Sequence, residues 1–212
     1  MSRRARASRV VENALRRFGF ARVGGIDEVG RGCLAGPVMA GVVVLDPAHR
    51  IAGVRDSKQL TGRQREDLYE EITARAVAWA VGRAEAGEID ACNIRQASFL
   101  AMRRAIFALV PLPDFLLVDA FLIPGVPIPQ RPIVHGDALC ASIAAASIVA
   151  KVTRDRLMLD LHAADPRYGY DRHKGYATAE HLAAVARFGY SPQHRRSFRP
   201  PSLFDTMDEQ SG

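Results

Sequence analysis

A short apolar run that ends in a carboxylate, FLLVDA at residues 115–120, constrains the fold more than any other segment of this chain. Its apolar residues are consecutive rather than alternating, which is typical of a strand buried on both faces of a parallel or mixed sheet. Helices must cover both faces of such a sheet. Asp119 closes the run, so we expect its side chain at the carboxyl end of the strand, where open α/β sheets place their ligands.

The segments around this run have the periodicities that an α/β sheet requires. Two β-rich stretches, up to residue 29 and over residues 38–45, surround a glycine turn and predict neighbouring strands. Thr61 and Gln64 have the spacing of a capping box before an amphipathic helix. The other expected elements are a strand over residues 78–86, a helix over 94–110, a short strand over 131–136, a long helix opened by Asp137, and a last helix from Thr178 to near Gly189.

Positive charge is concentrated at the N-terminus. The net charge is +6, and residues 1–22 alone hold seven arginines against one acid. We therefore divide the chain into a basic arm over residues 1–20 that can be partly helical, a single domain over 21–199, and a disordered acidic tail over 200–212. The arm either attracts phosphates or only aids solubility. Its removal, up to residue 22, is expected to weaken binding to a polyanion at low salt and to leave the chemistry of the domain intact.

Composition excludes several classes of protein. No run reaches the roughly 18 apolar residues of a membrane span, and no apolar segment of a secretory signal follows the first arginines. Cys33, Cys92 and Cys140 lack the spacing of a zinc site or a disulfide framework. We expect a cytoplasmic protein that does not contact membranes.

Four carboxylates are expected to converge where the strands end. They are Asp27, Glu28, Asp119 and Asp137. Such a cluster repels itself unless cations neutralise it, and ligands that are all oxygen suit Mg²⁺ or Mn²⁺. Two ions about 3.5–4 Å apart can clamp the attacking and leaving oxygens of a phosphodiester, which predicts hydrolysis by activated water. Taken singly, each acid also fits a structural role: a helix cap, a turn cap or a solvated pair.

Eight further residues are candidates for contact with a nucleic acid. The glycines of the GRG turn allow close backbone approach, lysine is rare in this chain, and an aromatic ring with a hydroxyl suits stacking on a sugar or base. The structural alternatives are a tight hairpin, solvated surface charge and a half-buried tyrosine. The eight residues are Gly30, Arg31, Gly32, Lys58, Lys174, Tyr176, Arg195 and Arg196.

Motifs in order over residues 25–198 resemble ribonuclease HII, the bacterial type 2 ribonuclease H. They are GIDEVGRG, LAGPV, DSKQL, VDA, HGDALCASIAAASIVAKVTRD, YGYDRHKGYAT and SPQHRRSF. The resemblance implies an α/β ribonuclease H-like fold, with a mixed five-stranded sheet flanked by helices and a C-terminal helical extension. It also implies cleavage 5′ to ribonucleotides in RNA·DNA hybrids, including single ribonucleotides within duplex DNA, leaving a 3′-hydroxyl and a 5′-phosphate.

The resemblance also assigns roles to the candidate residues. The four carboxylates match the family's metal ligands, residues 30–32 match the loop that senses the ribose 2′-hydroxyl, and Tyr176 matches the tyrosine at the ribo-to-deoxyribo junction. Lys58, Lys174 and residues 194–196 match segments associated with substrate. Cys33 stands where many relatives have proline.

Two other functions stay open at this stage. A sister nuclease on the same fold, such as a junction resolvase, would share the carboxylates but would not need a 2′-hydroxyl. A non-catalytic nucleic-acid-binding module would bind through the arm, with steep salt dependence and no need for metal. In the tail, Leu203 and Phe204 are a candidate contact for a replication sliding clamp, with chance occurrence as the alternative. We expect a monomer.

Overall fold

A five-stranded mixed sheet forms the centre of the molecule. The computed structural model describes residues 7–54 and 57–198. The strands are β1 Val23–Val29, β2 Val38–Val44, β3 Ala78–Ala84, β4 Phe115–Asp119 and β5 Gln130–Ile133. They lie in the order β3-β2-β1-β4-β5, with β2 antiparallel to β1 and β3, and with β4 parallel to β1 and β5. The mixed five-stranded sheet predicted from the sequence is confirmed.

The apolar run that opened the sequence analysis is the buried strand β4. Leu116, Leu117 and Val118 are fully buried. The parallel pairing of β4 with β1 runs as far as Ile26 opposite Val118. Asp27 and Asp119 are the next residues on their strands, so the register itself brings these two carboxylates to one place.

Helices cover both faces of the sheet. They are α1 Val10–Arg17, α2 Gly62–Arg75, α3 Ala86–Ala108, α4 Gly136–Leu139, α5 Ala141–Ala164, α6 Tyr170–His173 and α7 Ala179–Phe188. Short 3₁₀ turns lie at Ser57–Gln59 and Pro166–Tyr168. The α3 helix packs on one face, and α5 packs on the other with α2 outside it. The last helices form the expected C-terminal extension around a separate small core. Among these described segments, no helix combines the length and apolarity needed to cross a membrane.

Two predicted helices begin differently. The α3 helix starts at Ala86, but Asn93 interrupts it with φ +68° and caps the second half through its Oδ1 atom. The predicted start at residue 94 is therefore the start of this second half. Asp137 does not open the long helix, because it lies within the separate short helix α4. Cys140 is extended between α4 and α5.

The break at Cys140 is held by the arm. The Ser8 amide donates to the Leu139 carbonyl, and the Ala141 amide donates to the Ser8 carbonyl, both at 3.0 Å. One turn later, Glu12 is 1% exposed and accepts hydrogen bonds from the backbone amide and the hydroxyl of Ser142. Residues 7–20 are thus packed on the domain, and only residues 1–6 of the expected arm lie outside the description. The tail with Leu203 and Phe204 also lies outside the described residues.

A glycine lets α5 lie directly on β1. A Cβ atom at Gly25 would stand 2.1 Å from the carbonyl carbon of Ser142, which no side chain could tolerate. The close approach brings α5 against the face of β1 that Asp27 shares with Gly25. Ser147 of α5 therefore reaches the Asp27 carboxylate.

Candidate active site

The predicted carboxylates meet at the end of β1 and β4. Asp27 is 7% exposed on β1, and Glu28 follows it. Asp119 is the last residue of β4, and its Oδ1 atom accepts a hydrogen bond from the Gly136 amide at 2.8 Å. That bond ties β4 to the short helix that carries Asp137. Each acid therefore comes from an element whose position is fixed by the sheet.

Burial and mutual repulsion hold Asp27 and Asp119 towards their protonated forms. Burial raises the pKa of Asp27 well above its usual range, and the neighbouring charges of Glu28 and Asp119 raise it further. Burial also raises the pKa of Asp119, with the charge of Asp137 acting in the same direction. A cation placed among these groups would remove both the repulsion and the cost of burial.

Two basic side chains partly offset the negative charge. Burial raises the pKa of Glu28, against the opposing effect of Arg31, whose Nη1 atom lies 3.1 Å from Glu28 Oε1. The Lys58 Nζ atom lies 3.6 Å from Asp137 Oδ2, and its side chain is 84% exposed. Both bases stand at the edge of the acid cluster.

The donor set fits a hard divalent cation. The ligands would be carboxylate oxygens rather than thiolates or imidazoles. Within residues 7–54 and 57–198, no three acidic, histidine or cysteine side chains enclose an ion by themselves. Mg²⁺ tolerates that arrangement, because it usually keeps several waters and takes only one or two carboxylates together with substrate phosphates.

Asp27, Glu28 and Asp119, but not Asp137, line a cleft of about 200 Å³, and its walls also include residues that the sequence analysis missed. Ser57 and Ser147 line it and share a hydrogen bond of 3.0 Å, and Lys151 and Arg65 line it as well. The overlooked signal is a polar stripe on α5, where Ser147 and Lys151 lie four residues apart on one face of an Ala-rich helix. Lys58 and Tyr176 are the predicted contact residues that line the same cleft.

A buried arginine holds the loop predicted to sense the 2′-hydroxyl. Arg195 is completely buried, and its guanidinium donates to the carbonyls of Gly30, Arg31 and Gly36 at 2.6–3.0 Å. Gly30 has φ +86°, and a Cβ atom there would collide with the Arg154 side chain. Arg195 therefore lies behind the loop. The prediction that it touches substrate directly does not agree with this burial.

The other predicted contact residues lie at varied places. Tyr176 is 44% exposed, and burial and the Cys33 thiol beside it raise the pKa of its hydroxyl. Lys174 turns its ammonium to the Asp171 carbonyl and is absent from the walls of the cleft. Arg196 is exposed, and its amide donates to Asp90. Gly32 is exposed, with no heavy atom near the position of a Cβ.

Fold and site together define a metal-dependent endonuclease of the ribonuclease H class. The family model described as ribonuclease HII matches residues 24–200. The chain belongs to the ribonuclease HII family. It is therefore an endoribonuclease that acts on RNA·DNA hybrids.

Curated relatives agree over most of the chain. Ribonuclease HII of Anaeromyxobacter sp. is 55% identical over 86% of this chain, which spans only 58% of that relative's length. Ribonuclease HII of Nitrosococcus oceani is 57% identical over 86% of this chain and 91% of its own length.

Solved structures agree in fold. Ribonuclease H2 of Pyrococcus horikoshii has a TM-score of 0.71 at 27% identity, covering 90% of this chain and all of its own. RNase HII of Archaeoglobus fulgidus, solved in a complex with PCNA, has a TM-score of 0.68 at 26% identity and covers 87% of this chain and 99% of its own. Bst-RNase HIII in complex with Mn²⁺ has a TM-score of 0.67 at 20% identity and covers 93% of this chain and 73% of its own, a likeness of fold alone.

Proposed function

We propose that this enzyme hydrolyses the phosphodiester 5′ to ribonucleotides, both in RNA·DNA hybrids and at single ribonucleotides embedded in duplex DNA. The products would carry a 3′-hydroxyl and a 5′-phosphate. The observation that carries the proposal is the single cleft that joins Asp27, Glu28 and Asp119 to Tyr176. Acids for the chemistry and an exposed ring for recognition thus face one substrate.

We propose that Asp27, Glu28, Asp119 and Asp137 hold two Mg²⁺ or Mn²⁺ ions. When bound, such ions supply Lewis acidity and a nucleophile at neutral pH. The raised pKa values of Asp27 and Asp119 support this assignment, since a bound cation favours the ionised carboxylates. The Mn²⁺ complex of the Bst-RNase HIII neighbour supplies a precedent on this fold.

Recognition is assigned to the rim of the cleft. Lys58, Arg65 and Lys151 bring positive charge to the walls, where a phosphate backbone would lie. The backbone of residues 30–32 and the ring of Tyr176 would read the 2′-hydroxyl, the group that distinguishes RNA from DNA. The proposal also includes a weak contact of Leu203 and Phe204 with a sliding clamp, for which the Archaeoglobus complex with PCNA is a precedent.

Replacement of Asp119 by Asn tests the catalytic assignment. The substitution keeps the size of the side chain but removes the charge that would hold a cation. We expect cleavage of a duplex with one ribonucleotide, measured in Mg²⁺, to fall by at least about a hundredfold, the scale of losing one charge-stabilising group. Asp67→Asn is the matched control, because Asp67 is exposed on α2 and should keep full activity. Full activity of Asp119→Asn would overturn the assignment.

Matched duplexes with zero, one or four ribonucleotides separate the rival functions. The proposal expects cleavage of the last two only. Equal cleavage of the all-DNA duplex would favour a resolvase-like nuclease, and binding without metal-dependent cleavage of any duplex would favour a binding module.

A further inference from the structure

Three histidines lie buried behind Tyr176, away from the carboxylates. His173, His181 and His194 are 8%, 0% and 2% exposed. The His173 and His181 rings stack with centroids 4.3 Å apart, and the His181 and His194 Nε2 atoms are 3.0 Å apart. The mechanism proposed above uses none of them. Buried imidazoles must be hydrogen-bonded at both nitrogens to avoid a penalty, and these are.

The hydrogen bonds fix which nitrogen of each ring carries the proton. The Ser191 amide donates to His194 Nδ1 at 2.9 Å, so neutral His194 must carry its hydrogen on Nε2. At the other end of this series of hydrogen bonds, His181 Nδ1 lies 2.9 Å from the carbonyl oxygen of Tyr176, which can only accept a hydrogen bond. His181 therefore carries its hydrogen on Nδ1 and accepts from His194 at Nε2. The hydrogen bond from Ser191 and the hydrogen bond to Tyr176 each require that His194 Nε2 donates to His181 Nε2.

This series of hydrogen bonds ends at the backbone of Tyr176. The Tyr176 carbonyl also accepts from the Thr178 amide at 2.8 Å, and the Tyr176 amide donates to the His173 carbonyl at 3.0 Å. The ring itself is 44% exposed, so packing leaves part of it unsupported. A hydrogen bond between its hydroxyl and the Cys33 thiol holds the far end of the side chain, and the backbone, to which His181 is bonded, sets the near end.

The same segment supports the loop of residues 30–32. His173 Nδ1 accepts from the Gly175 amide at 3.2 Å. The Gly175 carbonyl in turn accepts from the Leu34 and Ala35 amides, directly after that loop. Both predicted recognition elements are thus attached to one buried histidine cluster.

We propose that His181 and His194 are positioning residues for ribonucleotide recognition. They form a directional hydrogen-bond chain, Ser191 to His194 to His181 to the Tyr176 carbonyl, that holds the Tyr176 ring at the cleft. The inference rests on the proposed function, since it assigns these histidines to the recognition role proposed for Tyr176. Both side chains are buried, so neither is placed to touch substrate.

A pair of substitutions at His181 tests this hydrogen-bond chain. An Asn amide can replace the Nδ1 donor and keep the bond to Tyr176, whereas a Gln amide reaches the position of Nε2 and loses that bond. We expect His181→Gln to lower kcat/KM on the single-ribonucleotide duplex by about tenfold, the scale of one lost buried hydrogen bond. We expect a smaller loss for His181→Asn, which keeps the bond to Tyr176 and loses only the bond from His194. Mn²⁺ affinity without substrate should be unchanged in both variants, because the carboxylates are not touched.

The Tyr176→Ala background separates positioning from general stability. If the histidines act through Tyr176, the difference between His181→Gln and His181→Asn should disappear in that background. A difference that persists there would overturn the inference, as would equal activity of the Gln and Asn variants. A Tyr176→Ala enzyme that cleaves normally would instead overturn the role proposed for Tyr176 itself.

His194 provides an independent pair of variants if His181→Gln does not fold. His194→Gln keeps a donor at the position of Nε2, and His194→Asn loses it. We expect the Asn variant to show the larger loss, the reverse of the order at His181. The same order at both positions would contradict the direction of the chain.

Discussion

Two arginines are fully buried at the junction of the recognition loop and the C-terminal extension. Arg154 donates to the carbonyls of Ala35, Pro37 and Lys174, and Arg195 donates to three carbonyls of the loop region. Neither forms an ion pair with a carboxylate within residues 7–54 and 57–198. Burial lowers the pKa of Arg195 to about 10, so it stays charged at neutral pH. Backbone carbonyls therefore solvate both charges, and the loop is fixed by them.

Replacement of Arg195 by lysine should lower the stability of the protein. Lysine lacks the planar fork that reaches three carbonyls at once. We expect Arg195→Lys to lower the free energy of unfolding by on the order of 3 kcal/mol, measured by urea denaturation. The adjacent exposed arginine supplies the control, and Arg196→Lys should stay within about 0.5 kcal/mol of the wild type. Equal losses at the two positions would show that the carbonyl contacts contribute little.

Local sequence patterns predicted where the carboxylates lie but not the buried side chains that hold the neighbouring loop in place. Asp119 was predictable because it ends a consecutive apolar run, and parallel strands bring their carboxyl ends to one edge. The burial of Arg195 was not predictable from the sequence HRRSF, since its acceptors belong to a loop about 160 residues earlier in the chain. An arginine that holds carbonyls and one that binds phosphate look alike in a sequence.

The elements of the C-terminal extension add a dependence of stability on pH. Burial lowers the pKa of His181 and of His194 to about 4, from an ordinary value of 6.5. The unfolded chain therefore takes up protons between pH 6.5 and 4 that the folded chain does not. The contribution of these two histidines to the free energy of unfolding therefore falls as the pH decreases through this window.

The charged groups around the histidines modify this effect without reversing it. Asp165 raises the pKa of His194, and Glu180 and Asp171 raise that of His173 while Arg172 lowers it. Buried carboxylates with raised pKa values, such as Asp27, act in the opposite direction on stability. A comparison of variants is needed to isolate the histidines.

We expect wild-type stability to fall more steeply than that of His194→Gln as the pH decreases from 6.5 to 4.5. Glutamine does not titrate but keeps a donor towards His181. Urea denaturation at several pH values measures the difference. Parallel curves would mean that His194 does not titrate differently in the folded and unfolded chains.

Element boundaries were predicted well where the signals are local. The capping box of Thr61 and Gln64 forms as expected, with hydrogen bonds in both directions, and Thr178 caps the last helix. The break at Cys140 was missed because nothing local specifies it. Its partner is Ser8, which pairs with the chain on both sides of the break. An Ala-rich sequence favours an unbroken helix until that distant contact is known.

At the scale of the whole molecule, the arm is part of the domain from residue 7 onwards. Val11, Leu15 and Phe20 pack against the buried residues of β1 and β4. The guanidinium groups of Arg9 and Arg16 donate hydrogen bonds to the carbonyls of residues 45, 46 and 49. The expectation that the whole arm can be removed without loss of chemistry is therefore confined to residues 1–6.

Two truncations distinguish these parts. Removal of residues 1–6 takes away three arginines and leaves the contacts of Ser8 and Glu12 in place, so binding of a hybrid should weaken at low salt. Removal of residues 1–20 also takes away Glu12 and the apolar face of α1, and should cost at least about 3 kcal/mol of unfolding free energy. Equal stability of the two truncations would mean that the docked helix contributes nothing.

The docking of the arm also bears on how the chain matures during synthesis. Ser8 and Glu12 leave the ribosome early, but their partners at Leu139–Ser142 follow about 130 residues later. The loop of residues 30–32 acquires its contacts later still, since Arg195 follows Gly30 by 165 residues. A nascent chain thus holds the first two acids without the contacts that arrange them. Competence to cut nucleic acid should therefore arise only once the chain has been made as far as Arg195 and has folded.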